Sequence, residues 1–373
     1  MTIIDCHAHI FPPLSGPCGF DDAEAHLLYQ QFSMHLHRNQ PVRRLRDHAI
    51  VEERHLWKEG DPSETGRTRV NFRVGRCGRF EWEMEEETFY LQFLPVGMEL
   101  MSCPADMMIA HMDYTGVDVA VLQNDHIYGN LSRFFSLAIA KYPGRFIGLA
   151  GVEEAFAYRE DQIEGLRDGC ERLDMAGLYF TTSGFFRSGY RPYYTDPVYG
   201  DFWNEVRRLE IPVFWVLYGE SPAGTYSDEL RHFREWLERY PDIPSVLVHG
   251  IPTFSFADAD RLRLPELLVE ILREHQVYAE VLYPISCGRQ MEYPYQRAAT
   301  HLRQVYDQFG ADRLLWGSDM PNVERYCTYG QSRTYLSQHC DFIAADDLSR
   351  ILGGNTRSLF SRSNRGSAPR PAK

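Results

Sequence analysis

Basic charge, long apolar runs and paired cysteines are scarce or absent in this 373-residue sequence. Lysine and arginine number 39 against 52 aspartates and glutamates, which gives a net charge of −13. Because binding to nucleic-acid phosphates needs basic surface, we expect no nucleic-acid partner. No apolar run approaches the roughly 20 residues that a membrane span requires, so we expect no membrane partner either.

The cysteines are scattered along the chain and show no C-x-x-C pair. In a chain of this length, eight scattered cysteines are typical of reduced, mostly buried thiols, and a disulfide framework is not expected. The first residues also lack the basic region and the apolar core of a signal peptide. We therefore predict a cytoplasmic protein. The cysteines are Cys6, Cys18, Cys77, Cys103, Cys170, Cys287, Cys327 and Cys340.

Short β-rich runs alternate with amphipathic helical segments through most of the chain. Such alternation predicts a parallel sheet, and eight repeats favour a closed barrel over an open sheet. The fold class predicted is therefore an α/β protein, a (β/α)8 TIM barrel formed by a single domain over residues 1–360. The strand candidates are residues 2–5, 117–123, 146–152, 177–181, 212–218, 245–249, 277–282 and 314–316.

Two segments depart from this alternation. Residues 11–103 are far too long for an ordinary connection between a strand and a helix, and residues 69–82 alternate like a β-strand. We interpret residues 11–103 as an insertion after the first strand that caps the mouth of the barrel. Residues 361–373 are small, basic and proline-containing, which predicts a disordered tail.

Four polar side chains fall at the ends of predicted strands. His7 and His9 lie two residues apart after the first strand, so both can point to one face. His249 ends the run 245–249, and Asp319 follows the run 314–316. Each has an ordinary structural explanation: polar residues at a strand end, a hydrogen-bonded histidine or a helix N-cap. Since the carboxyl ends of barrel strands meet in one place, we expect the four to form a shared site.

Several motifs, in the same order, resemble the amidohydrolase superfamily and within it the aminocarboxymuconate-semialdehyde decarboxylase-like branch. They are His7-Ala-His9, Met112 to Val121, Tyr142-Pro-Gly-Arg145-Phe, Leu209-Glu-Ile-Pro212-Val, Val248-His249-Gly250 and Trp316-Gly-Ser-Asp319-Met-Pro321. The resemblance covers the chain from Ile3 to about Phe360, outside the insertion.

The resemblance implies that His7, His9 and Asp319 bind a divalent metal, zinc first and manganese second. It implies that His249 and Asp319 are the catalytic residues and transfer protons beside the metal. This agrees with the chemistry of zinc, which lowers the pKa of a bound water towards about 7, so that a neighbouring base can take its proton.

One position departs from the family pattern. The pattern has a metal-binding histidine after the fifth strand, whereas this chain has Val216 or Leu217 there. An apolar side chain cannot coordinate a metal. Three explanations stay open: a weaker site of three ligands, a contribution from Glu220 or Glu280, or loss of the metal.

Other histidines and arginines receive weaker interpretations. His126 follows the second strand, where we expect a satisfied loop histidine, and a role in the pocket is the alternative. Arginines of the insertion, interleaved with aromatic residues, could bind a carboxylate, but a solvated hairpin is the simpler interpretation. These residues are Arg43, Arg44, Arg46, Arg69, Arg73, Phe72, Phe80 and Trp82. The insertion histidines His26, His35, His37, His48 and His55 show no metal-binding spacing.

Three functions follow as hypotheses. The first is a lyase that removes CO2 from an aromatic or conjugated carboxylic acid without oxidation. The second is a hydrolase of a lactone, amide or thioester, with or without a metal. The third is a catalytically inactive binding protein. The partner expected is a small molecule, an aromatic or unsaturated carboxylate, and a homodimer is compatible with the sequence.

Overall fold

The computed structural model describes residues 1–221, 224–258, 260–288 and 291–362. Eight parallel strands form one sheet in which each strand pairs with the next one along the chain. Each of them overlaps one of the predicted runs, so the (β/α)8 barrel is confirmed. The strands are β1 Ile4–Ala8, β2 Val119–Leu122, β3 Phe146–Ala150, β4 Met175–Thr181, β5 Val213–Val216, β6 Ser245–Leu247, β7 Val277–Val281 and β8 Leu314–Trp316.

The last and first strands close the sheet at their carboxyl ends. The amide of Asp319 donates to the carbonyl of His7 at 2.8 Å, and the amide of His9 donates to the carbonyl of Met320 at 2.8 Å. Ala8 and Met320 form a parallel bridge between the same two segments. Closure therefore places three residues predicted for the site, His7, His9 and Asp319, beside one another.

Apolar side chains fill the barrel, as alternation along its strands requires. The buried interior cluster is formed by Ile4, Cys6, Val121, Leu149, Tyr179, Phe214, Val246, Val248, Tyr278 and Leu315, with Leu359 and Phe360 of the last helix. Each fully buried aliphatic or aromatic side chain of this kind contributes roughly 1.5–3 kcal/mol. The interior is a packed core, which leaves the carboxyl ends of the strands as the place for a site.

Helices follow the strands and pack against the outside of the sheet. The helices after β2 to β7 are, in order, Ser132–Lys141, Glu160–Arg172, Gly200–Arg208, Tyr226–Arg239, Glu266–Glu274 and Gln296–Phe309. The remaining helices are Ala23–Leu36 in the insertion, Ala105–Thr115 before β2, Tyr283–Cys287 directly after β7, and Tyr329–His339, Ala345–Ser349 and Asn355–Arg362 after β8.

The helix Tyr226–Arg239 shows how local sequence determines these elements. Thr225 and Asp228 form a capping box that satisfies free amides at its first turn. Leu230, Phe233 and Trp236, at helical spacing, are buried on one face. The cap sets where the helix begins, and the apolar face sets how it packs on the barrel.

The chain between β1 and β2 forms a unit of its own. After the helix Ala23–Leu36, five antiparallel strands pair in the order Ile50–Val51, Val42–Arg44, Glu87–Gln92, Arg79–Met84 and Arg73–Val74. At its base Phe11 and Cys103 exchange both backbone hydrogen bonds, at 2.8 and 2.9 Å. We keep as a proposal that residues 11–103 are one insertion in a single domain over residues 1–360.

Three further predictions concern thiols, membranes and the tail. All eight cysteines are free, as expected of reduced thiols. Among the described residues, no helix has both the length and the apolar character that crossing a bilayer requires. Of the predicted tail, Ser361 and Arg362 belong to the helix Asn355–Arg362, and residues 363–373 lie outside the described residues.

Candidate active site and metal centre

His7 and His9 share one face because they lie two residues apart, and an irregularity in β1 turns that face towards the mouth of the barrel. Ile4 and Cys6 point into the barrel core, so strict alternation would send Ala8, and not the histidines, the same way. The register of β1 against β2 shifts between Asp5 and Ala8. A bulge of this kind redirects the following side chains. Both imidazoles are consequently buried at the mouth, with their Nε2 atoms 3.0 Å apart.

The Nδ1 atoms of both histidines already have hydrogen-bond partners. Nδ1 of His7 lies 2.8 Å from Oε2 of Glu280, and Nδ1 of His9 lies 3.1 Å from the carbonyl of Gln123. Since a carboxylate and a carbonyl only accept, both Nδ1 atoms donate. In neutral imidazoles the two Nε2 atoms then face each other as lone pairs, which is unfavourable unless a cation lies between them.

Asp319 completes this cluster. Its Oδ1 lies 3.1 Å from Nε2 of His9 and 3.6 Å from Nε2 of His7, and it accepts from Nδ2 of Asn322 at 2.9 Å. Burial alone would raise the pKa of Asp319, but the imidazoles of His7 and His9 outweigh it and hold the pKa well below its usual range. Asp319 is therefore ionised at neutral pH.

The surroundings also favour positive charge at His7. Burial lowers the pKa of His7, but the carboxylates of Glu280 and Asp319 outweigh burial and raise the pKa to about 9. A proton or a metal ion satisfies this preference equally well. The group His7, His9 and Asp319 is thus a buried site with the charge balance of a cation site.

The spacing of the three donor atoms suits a divalent metal. Zinc bonds of about 2.0–2.1 Å at tetrahedral angles place neighbouring ligand atoms about 3.4 Å apart. The three separations of 3.0, 3.1 and 3.6 Å lie around that value. Two imidazoles and one carboxylate also form a common ligand set of catalytic zinc. On this geometry the residues present fit a divalent metal.

The structure tests one of the two glutamates considered as a source of a fourth ligand. Val216 ends β5 and packs partly buried against the barrel interior, so the position of the expected histidine is apolar. Glu280 contacts His7 on the side away from the Nε2 atoms, and it also accepts from the side-chain amide of Gln123 at 2.6 Å. Glu280 therefore does not supply the missing ligand. The side chain of Glu220 lies outside the described part of the chain.

His249 lies beside this cluster. Its ring centroid is 5.1 Å from that of His7, and its amide donates to Oε2 of Glu280 at 2.8 Å. His249 has a φ of 62°, and at Gly250, with a φ of 71°, a Cβ would come within 1.9 Å of the carbonyl of Glu280. Asp319 has the same left-handed backbone conformation, with a φ of 60°. Such a conformation is strained at a residue other than glycine and is often found at functional sites.

The electrostatics of His249 differ from those of His7. Burial, and then the positive charge of His7, lower the pKa of His249 below its ordinary value. The residue lines a cavity of about 250 Å³ together with Glu280, and Asn39 of the insertion closes part of the same cavity. The imidazole of His249 is therefore reached by solvent from the cavity.

Residues that sequence reasoning missed hold the site in place. Asp5 accepts from the amide and hydroxyl of Ser318 at 2.9 and 2.5 Å and from the hydroxyl of Tyr329 at 2.8 Å. This fixes the turn that carries Asp319. Tyr128 packs with its ring 4.5 Å from that of His9 and accepts from Nδ2 of Asn322 at 2.5 Å.

His126 is held away from the cluster. Its Nε2 lies 2.6 Å from Oε2 of Glu154, and both side chains are buried. Burial lowers the pKa of His126, but the carboxylate of Glu154 outweighs it and raises the pKa. Nδ1 of His126 is buried and has no hydrogen-bond partner among the described residues, so the expectation of a satisfied loop histidine holds for Nε2 alone.

The arginines of the insertion are paired within the insertion. Arg44 contacts Asp47 at 2.7 Å, Arg46 contacts Glu87 at 3.3 Å and Arg73 contacts Glu83 at 2.8 Å. Arg43 donates to a backbone carbonyl, and Arg69 is exposed. The aromatic residues Phe72, Phe80 and Trp82 are buried among themselves. The interpretation of a solvated hairpin thus describes this region.

Comparisons with known proteins extend these observations. A curated L-fucono-1,5-lactonase from Burkholderia ambifaria is 39% identical over 69 residues, which are 17% of this chain and 23% of that protein. The match thus spans about a quarter of the length of that relative. A solved structure, a probable 2-pyrone-4,6-dicarboxylic acid hydrolase from Acinetobacter baumannii with citric acid bound, is 19% identical with a TM-score of 0.53. The alignment covers 70% of this chain and 90% of that one.

A dihydroxybenzoic acid decarboxylase from Polaromonas, solved with manganese and an inhibitor, is 15% identical with a TM-score of 0.49. That alignment covers 70% of this chain and 88% of the other. A model of the family described as Amidohydrolase matches residues 4–362. This match includes all eight barrel strands and the three residues His7, His9 and Asp319. The chain belongs to the amidohydrolase family and is an enzyme of that family.

Proposed function

We propose that His7, His9 and Asp319 bind one divalent metal ion, zinc in the first place and manganese in the second. Support comes from the opposed Nε2 atoms and from the ionised carboxylate beside them. When bound, such an ion supplies Lewis acidity and a water of lowered pKa. Glu280 and Gln123 orient the two imidazoles by accepting from their Nδ1 atoms.

We propose that the reaction is hydrolysis of a lactone or a similarly activated acyl bond. One arrangement carries this proposal: the carboxylate of Asp319 lies 3.6 Å from Nε2 of His7, the imidazole of His249 lies 5.1 Å from the His7 ring, and both groups can accept a proton at the mouth. Two acceptors suit removal of a proton from water. A decarboxylase needs a donor that protonates the carbon which loses CO2.

Asp319 or His249 can accept and return the proton that moves during hydrolysis. Water adds its oxygen to the carbonyl carbon while Asp319 or His249 takes the proton. The bond from that carbon to the leaving oxygen then breaks, and the protonated base returns the proton to that oxygen. The short match to a lactone hydrolase agrees with this chemistry.

Non-oxidative decarboxylation of an aromatic acid is the second candidate, favoured by Tyr128. Its ring lies 4.5 Å from the ring of His9, which places the phenol beside the proposed metal position. Burial and the charge of Asp319 raise the pKa of Tyr128 well above its usual value, so the phenol keeps a proton to donate.

One experiment tests both candidates. Purified enzyme is incubated in ¹⁸O-labelled water with a panel of lactones and aromatic acids, and products are measured by mass spectrometry together with CO2. Hydrolysis incorporates ¹⁸O into a new carboxylate and releases no CO2. Release of CO2 without incorporation of ¹⁸O would show that the reaction is decarboxylation and not hydrolysis. We further propose a cytoplasmic location, which the eight free thiols support.

A further inference from the structure

A second group of polar atoms lies beside the metal-binding cluster, on the loop that follows β8. Arg325 ends the short helix Asn322–Arg325, and its Nε donates to the carbonyl of Asn322 at 3.2 Å. Its Nη1 is buried and has no hydrogen-bond partner. Among the described residues, no carboxylate pairs with this guanidinium. An arginine donor that is buried and unpaired is costly unless a ligand satisfies it.

The insertion contributes a second unpaired atom to the same place. His37 follows the helix Ala23–Leu36, and its amide donates to the carbonyl of Ser33 at 2.9 Å. Its Nε2 is buried and also lacks a hydrogen-bond partner. Burial, and then the positive charge of Arg325, lower the pKa of His37 well below its ordinary value. His37 is consequently neutral, and among the charged groups around it Arg325 acts most strongly, ahead of Arg54, Asp319 and Arg38.

Both side chains contact one aromatic ring. Cζ of Arg325 lies 5.7 Å from the ring centroid of Phe93, and the ring of His37 lies 5.4 Å from it. Phe93 is in turn 6.1 Å from Tyr128, which contacts His9. The rings of Phe93 and Tyr128 thus connect Arg325 and His37 to His9 of the metal-binding cluster.

A hydrogen bond joins the two segments that carry these residues. Nε2 of Gln40 donates to the hydroxyl of Tyr326 at 2.7 Å. Gln40 and His37 belong to the chain that leaves the helix Ala23–Leu36, and Tyr326 follows Arg325 directly. The insertion and the loop after β8 therefore form this place together.

We propose that Arg325 and His37 bind a carboxylate group of the substrate, so that the substrate of the proposed hydrolysis is a carboxylated lactone or ring. This deepens the proposed function and rests on it. A guanidinium offers parallel N–H donors that match the two oxygens of a carboxylate. The ring of Phe93, which lies beside both side chains, gives the ring that bears this carboxylate an aromatic neighbour.

The test compares binding of benzoate with binding of benzamide, its uncharged analogue of nearly equal shape, by isothermal titration of the purified full chain. The variants are Arg325→Gln, Arg325→Lys and His37→Gln. The control is Arg303→Gln, which changes a half-exposed arginine on the outer helix Gln296–Phe309. Metal content and thermal unfolding are measured for each protein, so that loss of the metal or of the fold is recognised.

We expect the wild type to bind benzoate at least about tenfold more tightly than benzamide, since charge-assisted hydrogen bonds are the stronger kind. Arg325→Gln should abolish that preference, Arg325→Lys and His37→Gln should reduce it, and Arg303→Gln should keep it. Equal binding of the two probes, absence of saturable benzoate binding, or an undiminished preference in folded Arg325→Gln would overturn the proposal. Hydrolysis of an uncharged lactone is unaffected by these outcomes, so the two proposals fail independently.

Discussion

Glu280 accepts from Nδ1 of His7 at 2.8 Å while the peptide amide of His249 donates to the same oxygen, Oε2, at 2.8 Å. One buried carboxylate thus fixes the ring of a proposed metal ligand and the backbone of a proposed base. The distance between these two groups therefore depends on a residue that is not itself a proposed metal ligand.

The first prediction concerns this carboxylate. Glu280→Gln should weaken binding of zinc by about 10–100-fold, the usual effect of removing a group that orients a ligating histidine. Competition with a chromogenic chelator measures the affinity. Glu266→Gln, at an exposed glutamate that begins the outer helix before β7, is the control and should bind zinc like the wild type. Equal affinities of both variants would show that Glu280 has no such role.

A second prediction concerns the missing ligand at the end of β5. Val216→His should tighten metal binding, because an added imidazole supplies a further donor at the mouth. The longer side chain costs modest overpacking, about 1–3 kcal/mol in a filled core, so the variant should fold. The same competition assay measures the effect. A folded variant with unchanged affinity would mean that Val216 does not face the metal position.

The third prediction concerns the two proposed bases. His249→Asn and Asp319→Asn should each lower kcat by at least about 10²-fold, the usual scale for a positioned acid–base group. Rates of ¹⁸O incorporation measure this directly. Asn322→Ala, which removes one hydrogen bond to Asp319, should have a smaller effect than Asp319→Asn. Rates near that of the wild type in both Asn variants would place proton transfer on other residues.

A fourth prediction concerns stability and pH. Glu229 is buried on the helix Tyr226–Arg239, and burial raises its pKa to about 7 despite hydrogen bonds from Tyr193 and Tyr194. The folded state therefore keeps a proton that the unfolded state loses above its ordinary pKa of 4.5. The contribution of Glu229 is complete below that pKa and is lost as pH rises to about 7.

Between pH 5 and pH 8 the free energy of unfolding should therefore fall by up to about 3 kcal/mol because of Glu229. Glu229→Gln should remove that part of the pH dependence, as measured by urea unfolding. Glu235→Gln, at an exposed position on the same helix, should retain it. Parallel pH profiles of wild type and Glu229→Gln would contradict the account.

The barrel and four polar residues at its mouth were predictable from sequence. Strand runs and helices alternate clearly, and His7, His9, His249 and Asp319 all stand at strand ends. Parallel strands bring their carboxyl ends together, so chain position alone implied proximity. The structure places the four side by side, and their catalytic and metal-binding roles stay predictions.

Residues that act through long-range packing were not predictable in this way. The sequence suggested Glu280 only as a possible metal ligand, and the closed barrel shows that it accepts from His7 on the side away from the Nε2 atoms. Arg325 and His37 lie beside the same ring, that of Phe93, because the insertion packs against the loop after β8, and no local pattern encodes this. The bulge in β1 is equally hidden, since it depends on pairing with β2.

Metal content tests the central claim most directly. Wild type and the double variant His7→Ala/His9→Ala are dialysed against zinc or manganese, then against metal-free buffer, and analysed for metal and protein together. We predict about one ion per chain in the wild type and none in the folded double variant, because both imidazoles coordinate the ion. A wild type without metal, or a double variant with as much metal as the wild type, would contradict the account.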